Sequence, residues 1–251
     1  MNDRPEYRAM LSYDIESYST RNNADQYALQ AAMIRLLDLA AGAAGLGLLD
    51  WKRQPQGDGE FVVLPSTLHP ARLTGSFADA LRQALDDYNA SSEPRLRLRL
   101  AVHAGPIHVD GPAGSPGRHA VASGRLVDAG PLRAALLAVQ EANLGIVVSD
   151  DFYRDYVGQG YDGPPPDQFR RVVVKVKQQE YTAHIYLPGH NVHAIGELET
   201  PPEEADDQPQ RPGQVTVGGD WYGGNVVNTS GEGISYVAGR DFTLPERKPG
   251  R

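Results

Sequence analysis

An apolar run that ends in an acid sets the first condition on any fold for this chain. Tyr7, Ala9, Met10 and Leu11 lead into Asp14. Ile15, Glu16, Ser17, Tyr18, Ser19 and Thr20 follow, then Arg21-Asn22-Asn23 and an amphipathic segment. A carboxylate at the end of a buried strand is costly unless a metal cation, an arginine or lysine, or backbone amides pair with it. Small polar residues in the next turn can aim backbone N–H groups at an anionic ligand near a helix N-terminus. Taken alone, such an acid is more often a turn or cap residue.

A second acid changes the weighting. Gln56-Gly57-Asp58-Gly59-Glu60 is a glycine-bracketed turn between residues 46–51 and 61–65, and both flanks read as strands. Strand, turn, strand predicts a hairpin with Asp58 at its tip, where the glycines allow close approach of backbone or ligand. Two strand-associated carboxylates with no obvious protein cation beside them suggest a hard divalent ion, Mg²⁺ or Mn²⁺, bridging to phosphates. The plainer reading of Asp58 is a turn residue satisfying its own backbone.

At 251 residues the chain can bury one good core with an appendage. A net charge of -8 argues against a general nucleic-acid binder but not against one nucleotide held through a metal. There is no cysteine, hence no disulfide framework and no thiolate chemistry. The first ten residues are polar, and no apolar run reaches membrane-spanning length, so the expectation is a cytoplasmic protein with no membrane partner.

Periodicity supplies the order of elements. Residues 7–15 read as a strand and residues 23–44 as a helix closed by Gly42 and Gly45. After the hairpin, residues 67–90 carry a second amphipathic helix. Leu96, Leu98, Leu100 and Val102 then alternate with Arg95, Arg97 and Arg99, a strand whose arginines are expected on a solvated or helix-covered face. His103 reads as a packed histidine, and the surrounding histidines lack the further ligands of a zinc site. A Gly/Pro/Ser loop at 111–117 precedes a helix over 118–128 that continues through 132–143. Residues 146–149 form a short buried strand, and residues 169–176 and 183–187 a last hairpin. The order predicts an α+β fold, a ferredoxin-like βαββαβ sandwich with additions, with helices on one face of a largely antiparallel sheet.

These residues resemble the class III nucleotide cyclase catalytic domain over about residues 7–187. The carriers are YDIESYS at 13–19, QGDGEF at 56–61, LRLAVHAGPI at 98–107, the 117–126 helix with Arg125, and a closing hairpin with Lys175 and Lys177. Each motif is short; their joint order makes the resemblance specific. It implies two Mg²⁺ or Mn²⁺ ions per site on Asp14, Asp58 and the carbonyl of Ile15. It implies phosphates cradled by Glu16, Ser17, Tyr18 and Ser19, with Arg125 and Lys177 as catalytic cations on the triphosphate. It also implies a head-to-tail homodimer with both sites at the interface.

The departures are as informative. The asparagine that such domains carry one turn before the arginine is here Val121. The two base-reading positions fall on Gln54 and near Gly114 or Ser115, so neither purine code is present. That leaves open a pyrimidine substrate, as in the uridylate and cytidylate cyclases of bacterial antiphage defence, and equally a cyclase domain that binds nucleotide poorly or not at all. The chain is expected to divide into a cyclase-like domain at 1–189, an acidic Pro-rich linker at 190–213, extended and mobile, and a Gly/Asn-rich β-prone arm at 214–251. Two functions compete: a cyclase converting a nucleoside triphosphate to a 3′,5′-cyclic monophosphate and pyrophosphate, and an inactive cyclase-homology module that dimerises and recruits a signalling or immune partner through the arm.

Overall fold

The computed structural model describes residues 4–47, 50–112, 114–176 and 179–198. Lys177, most of the expected linker, and the whole C-terminal arm lie outside the described residues. The chain runs β1 (Glu6–Ile15), α1 (Asn23–Ala43), β2 (Lys52–Gln56), β3 (Gly59–Val63), α2 (Ser76–Ser91) and β4 (Leu98–Ile107). It continues through α3 (Arg118–Val127), α4 (Gly130–Ala138), β5 (Leu144–Ser149), β6 (Arg170–Val176) and β7 (Gln179–Tyr186). The strands form one seven-stranded sheet in the order β2-β3-β1-β4-β5-β7-β6. Every pairing is antiparallel except β4 with β5. The α+β architecture and the hairpin carrying Asp58 are as the sequence implies.

Helices cover both faces, not one. Leu11, Tyr13 and Ile15 of β1, with Leu98, Leu100 and Val102 of β4, pack in one core with Leu29, Met33, Leu36 and Leu37 of α1 and Phe77, Leu81 and Leu85 of α2. Alternation sends Met10, Ser12 and Asp14, and Arg99, Ala101 and His103, to the other face. There Ala101 joins Leu126 of α3 and Leu132 and Leu136 of α4 in a second core. The period of an amphipathic helix says that it has a buried side, but not which face of a sheet receives it.

Polar contacts fix α3 on that second face. Ser12 Oγ and Ser123 Oγ are 2.8 Å apart. His103 Nε2 lies 2.8 Å from His119 Nδ1, and His103 Nδ1 lies 2.7 Å from Ser149 Oγ. Arg118 Nε donates to His119 Nε2 at 3.2 Å. That donor leaves the His119 proton on Nδ1, pointing at His103 Nε2, which puts the His103 proton on Nδ1, pointing at Ser149. The chain therefore runs one way only, through two neutral rings. Gly105 makes room for it, since a Cβ there would overlap the His119 ring.

Three further expectations shift. The first hairpin strand is Lys52–Gln56 instead of 46–51. It contains no apolar residue and one proline, and an edge strand tolerates both. The second helical region divides into a 3₁₀ turn, Pro70–Leu73, and α2. Residues 190–198, read as the start of a linker, pack against β6. Val192 is buried, and Arg170 Nη1 donates to the carbonyls of Ile195 at 2.7 Å and Gly196 at 2.9 Å. Among the described residues no helix is long and apolar enough to cross a membrane.

Burial holds the His103 imidazole well below its usual range, at about 4, and the neighbouring His119 pushes the same way. The native state therefore binds fewer protons than the unfolded chain between pH 6.5 and 4. Stability from His103 is complete above about pH 6.5 and is lost as pH falls toward 4. Urea melts of the native chain and of His103→Gln should show the native chain losing stability faster over that window, and parallel curves would refute this chain of neutral rings.

Candidate active site

The candidate site begins where β1 leaves the sheet. Asp14 faces the α3 side, and its backbone stands opposite Gly59 on β3 and opposite Arg99 on β4. The turn joining β2 and β3 is two residues long, Gly57-Asp58, and Gly57 takes a φ of 69° that glycine adopts without steric cost. Gln30 Nε2 of α1 donates to the Gly57 carbonyl at 2.8 Å and steadies the turn. A Cβ at Gly59 would overlap the Tyr13 carbonyl oxygen and press on the Asp14 Cα. The absence of that Cβ lets the hairpin tip close on β1. Asp58 is thereby near enough to Asp14 that its negative charge raises the Asp14 pKa.

No protein cation stands near this acid pair along the sequence; the fold supplies one. Arg99 grips Asp14 with a two-pronged contact, Nε to Oδ1 at 2.8 Å and Nη2 to Oδ2 at 2.9 Å. The remaining nitrogen, Nη1, reaches Asp128 Oδ1 at 3.3 Å, and Arg133 binds the same oxygen at 3.1 Å. Arg97 pairs with Glu16 at 2.7 Å. It also donates to the carbonyls of Leu136, Val139 and Ala142 at the end of α4, where a cation suits the helix dipole. Of the three alternating arginines, Arg95 is exposed, while Arg97 and Arg99 are covered and bind the acids of the 14–16 segment. The pairing is legible only once β1 and β4 are put in register, which brings residues 85 apart in sequence opposite each other.

The turn after Asp14 is shaped but partly committed. Ser17 has a φ of 56°, a left-handed conformation that costs a non-glycine residue about 1 kcal/mol. Thr20 Oγ1 donates to the Ser17 carbonyl, and Gln26 Nε2 donates to those of Tyr18 and Arg21. The Glu16 amide already donates to the Arg97 carbonyl at 3.0 Å. Ile15 is buried, and Ser17 and Ser19 are exposed.

The two positions at which a base would be read meet in space. Gln54 Oε1 accepts the backbone N–H of Ser115 at 3.1 Å. A backbone amide can only donate, so the orientation of the side-chain amide is fixed, with Nε2 against Gly114. Arg125 lies elsewhere. Its Nη1 donates to the Tyr181 hydroxyl at 2.5 Å. From β1 to β7 is three strand spacings, about 14 Å. Asp14 is level with Gly145, and Gly145 with Leu187, so Tyr181 is a further ~20 Å along the strand. The backbones of Asp14 and Tyr181 are then on the order of 25 Å apart within one chain.

Among the described residues no three acidic or histidine side chains converge as a ready metal cage. The donor set nevertheless suits a hard divalent ion completed by ligand oxygens. Burial pushes the Asp14 carboxyl up to about 7, with the charges of Asp58 and Asp128 adding to the rise and Arg99 opposing it. A bound dication would relieve that crowding of negative charge. Arg99 would have to release at least one Asp14 oxygen.

No protein-family model and no curated protein matches the sequence. Solved structures do match. A structure described as an adenylate/guanylate cyclase/hydrolase from Silicibacter pomeroyi aligns with 74% of this chain and 99% of its own, at 20% identity and a TM-score of 0.53. The guanylyl cyclase Cya2 aligns with 72% of this chain and 91% of its own, at 12% identity and a TM-score of 0.51. The chain has the class III nucleotide cyclase fold. In this cyclase-fold domain Asp14, Asp58, Arg99 and Glu16 lie at one end of the sheet, and Arg125, on a helix packed on β4 and β1, reaches Tyr181 of β7.

The raised Asp14 pKa has a measurable sign. The native state holds this proton more tightly than the unfolded chain, so raising the pH from about 4 through 7 costs stability. Asp14→Asn lacks that loss. The stability of the variant relative to the native chain should therefore improve between pH 5 and pH 8 in urea melts, and a constant difference would contradict the raised pKa.

Proposed function

We propose that this domain is a nucleotide cyclase, forming a 3′,5′-cyclic nucleoside monophosphate and pyrophosphate from a nucleoside triphosphate. The observation that carries the reading is a hairpin tip bearing Asp58 whose next residue, Gly59, stands opposite Asp14 with no room for a side chain, on a cyclase fold. Asp14 and Asp58 would hold two Mg²⁺ or Mn²⁺ ions, with the Ile15 carbonyl as a further oxygen. When bound, such ions lower the pKa of the ribose 3′-hydroxyl and neutralise the triphosphate. The 3′-oxygen attacks the α-phosphorus, the bond to the β-phosphate oxygen breaks, and the hydroxyl proton passes to solvent. Arg125 stabilises charge on the transferring phosphoryl group, and Lys177 binds the polyphosphate.

The family resemblance implies a head-to-tail homodimer, in which Arg125 of one copy, held toward Tyr181 in its own chain, meets Asp14 and Asp58 of the other. Gln54 then faces the base with its amide NH₂ as donor, a code unlike that of either purine cyclase. One observation favours an inactive module instead: both Asp14 oxygens are occupied by Arg99. The exposed Val121 in the place of a ribose-orienting asparagine points the same way.

Incubation with each of the four nucleoside triphosphates and Mn²⁺ separates the two. The cyclase yields a cyclic product from at least one. Asp58→Asn should lower that turnover by about a hundredfold or more, since even residues behind a metal's direct ligands cost 10–100-fold. No product from any triphosphate leaves the inactive module; product with unchanged turnover in Asp58→Asn removes the metal assignment.

A further inference from the structure

Arg99 is placed in a way that the cyclase reading does not use. All three of its guanidinium nitrogens are engaged, two on Asp14 at 2.8 and 2.9 Å and one on Asp128 at 3.3 Å. The two acids differ in kind. Asp14 is a strand residue with its side chain 15% exposed, whereas Asp128 caps the end of α3 and is 60% exposed. The contact with the buried acid is short and forked, and the contact with the surface acid is longer and single. A single guanidinium thus bridges a candidate metal ligand and a second acid that is already anchored by Arg133.

We propose that Arg99 is the resident counter-cation of Asp14, which a divalent ion must displace, and that Asp128 receives it. This rests on the metal-binding reading of Asp14 and Asp58. Without a metal, the fork satisfies both oxygens of a buried carboxylate that would otherwise sit unpaired beside Asp58. When a dication arrives, the two compete for the same lone pairs, and charge favours the ion over a monovalent guanidinium. Arg99 is not stranded by the exchange, because Nη1 already touches Asp128 and the fork can turn onto it within reach of its present position. Arg99 is therefore a positioning residue: it holds the Asp14 carboxylate in place, and it sets the metal concentration at which the site loads.

The test is metal binding by the full chain, read by titration calorimetry or by loss of the free Mn²⁺ paramagnetic resonance signal, with Mn²⁺ alone as probe. It is run at pH 8.5, where the tendency of Asp14 to hold a proton weighs least. Arg99→Gln should bind Mn²⁺ about tenfold more tightly or better, since a competing charge at contact distance is gone. Arg99→Lys, which keeps the charge and loses the fork, should fall between Arg99→Gln and the native chain. Asp128→Asn should bind about threefold more weakly, in keeping with the small value of a surface ion pair. Thermal melting of each variant confirms that it is folded; if Arg99→Gln is not, Arg99→Lys and Asp128→Asn carry the test. Equal or weaker binding in the Arg99 variants, or no loss in Asp128→Asn, overturns the exchange. Asp58→Asn separates this failure from that of the underlying reading: if Mn²⁺ binding survives it unchanged, or no variant binds Mn²⁺, the acid pair is not a metal site.

Discussion

The ion pair between Asp14 and Arg99 organises this end of the domain. It is a cross-strand pair, directly opposite on β1 and β4, and it lies under the end of α3. An opposite-charge pair in that position contributes some tenths of a kcal/mol on an open sheet. Here burial makes the stakes larger, because removing either partner leaves an unpaired charge that water cannot fully solvate. The register of β1 on β4 is thus fixed twice, by apolar residues on the α1 side and by this pair on the other. The same register sets Ser12 beneath Ser123 and His103 beneath His119, so the placement of α3 and of Arg125 follows from it.

A second polar cluster works on the opposite face. Glu60 is buried and accepts from the Tyr13 hydroxyl and from Arg53 Nε at 2.7 Å, while Arg53 Nη1 binds Asp38 of α1 at 2.9 Å. Burial and the Glu60 carboxylate push the Tyr13 phenol far above its usual range, so it stays a donor. Asp14 and Tyr13 are adjacent on β1, and Gly59 and Glu60 are adjacent on β3. The Glu60 cluster ties the hairpin's edge strand to α1, and Gly59, standing opposite Asp14, brings the hairpin tip close to β1.

Much of this was legible in the sequence and some was not, for identifiable reasons. The strand at 98–107 is plain because leucines alternate with arginines, and the Asp58 hairpin is plain because two glycines bracket the turn. The residues QGDGEF and LRLAVHAGPI carried the fold. What they could not carry was pairing. Arg97 and Arg99 look like surface charges until β4 is laid against β1, since a period of two gives the face but not the neighbour. The edge strand was missed because Lys52-Arg53-Gln54-Pro55-Gln56 has no apolar residue, and the stretch before it, with buried Leu46 and Trp51, mimics a strand. The facing of α3 was missed because Ser12 and Ser123 hold it as much as apolar contact does. Lys177, assigned by resemblance, falls outside the described residues.

Arg99 also bears on the choice between an active and an inert domain. An inert domain would gain nothing from a carboxylate whose ionisation burial holds back, and replacing a buried ion pair with apolar residues is often neutral or stabilising. A working site has a reason to keep it. The acids must stay charged and oriented before the ion arrives, and a cation that can be handed to a second acid keeps them so without blocking the exchange. In the exchange proposed above, the anchored Asp128 beside Arg99 is what would turn a structural salt bridge into a replaceable one. On this argument the contact that most resembles a lock on the site is the one that keeps the site ready.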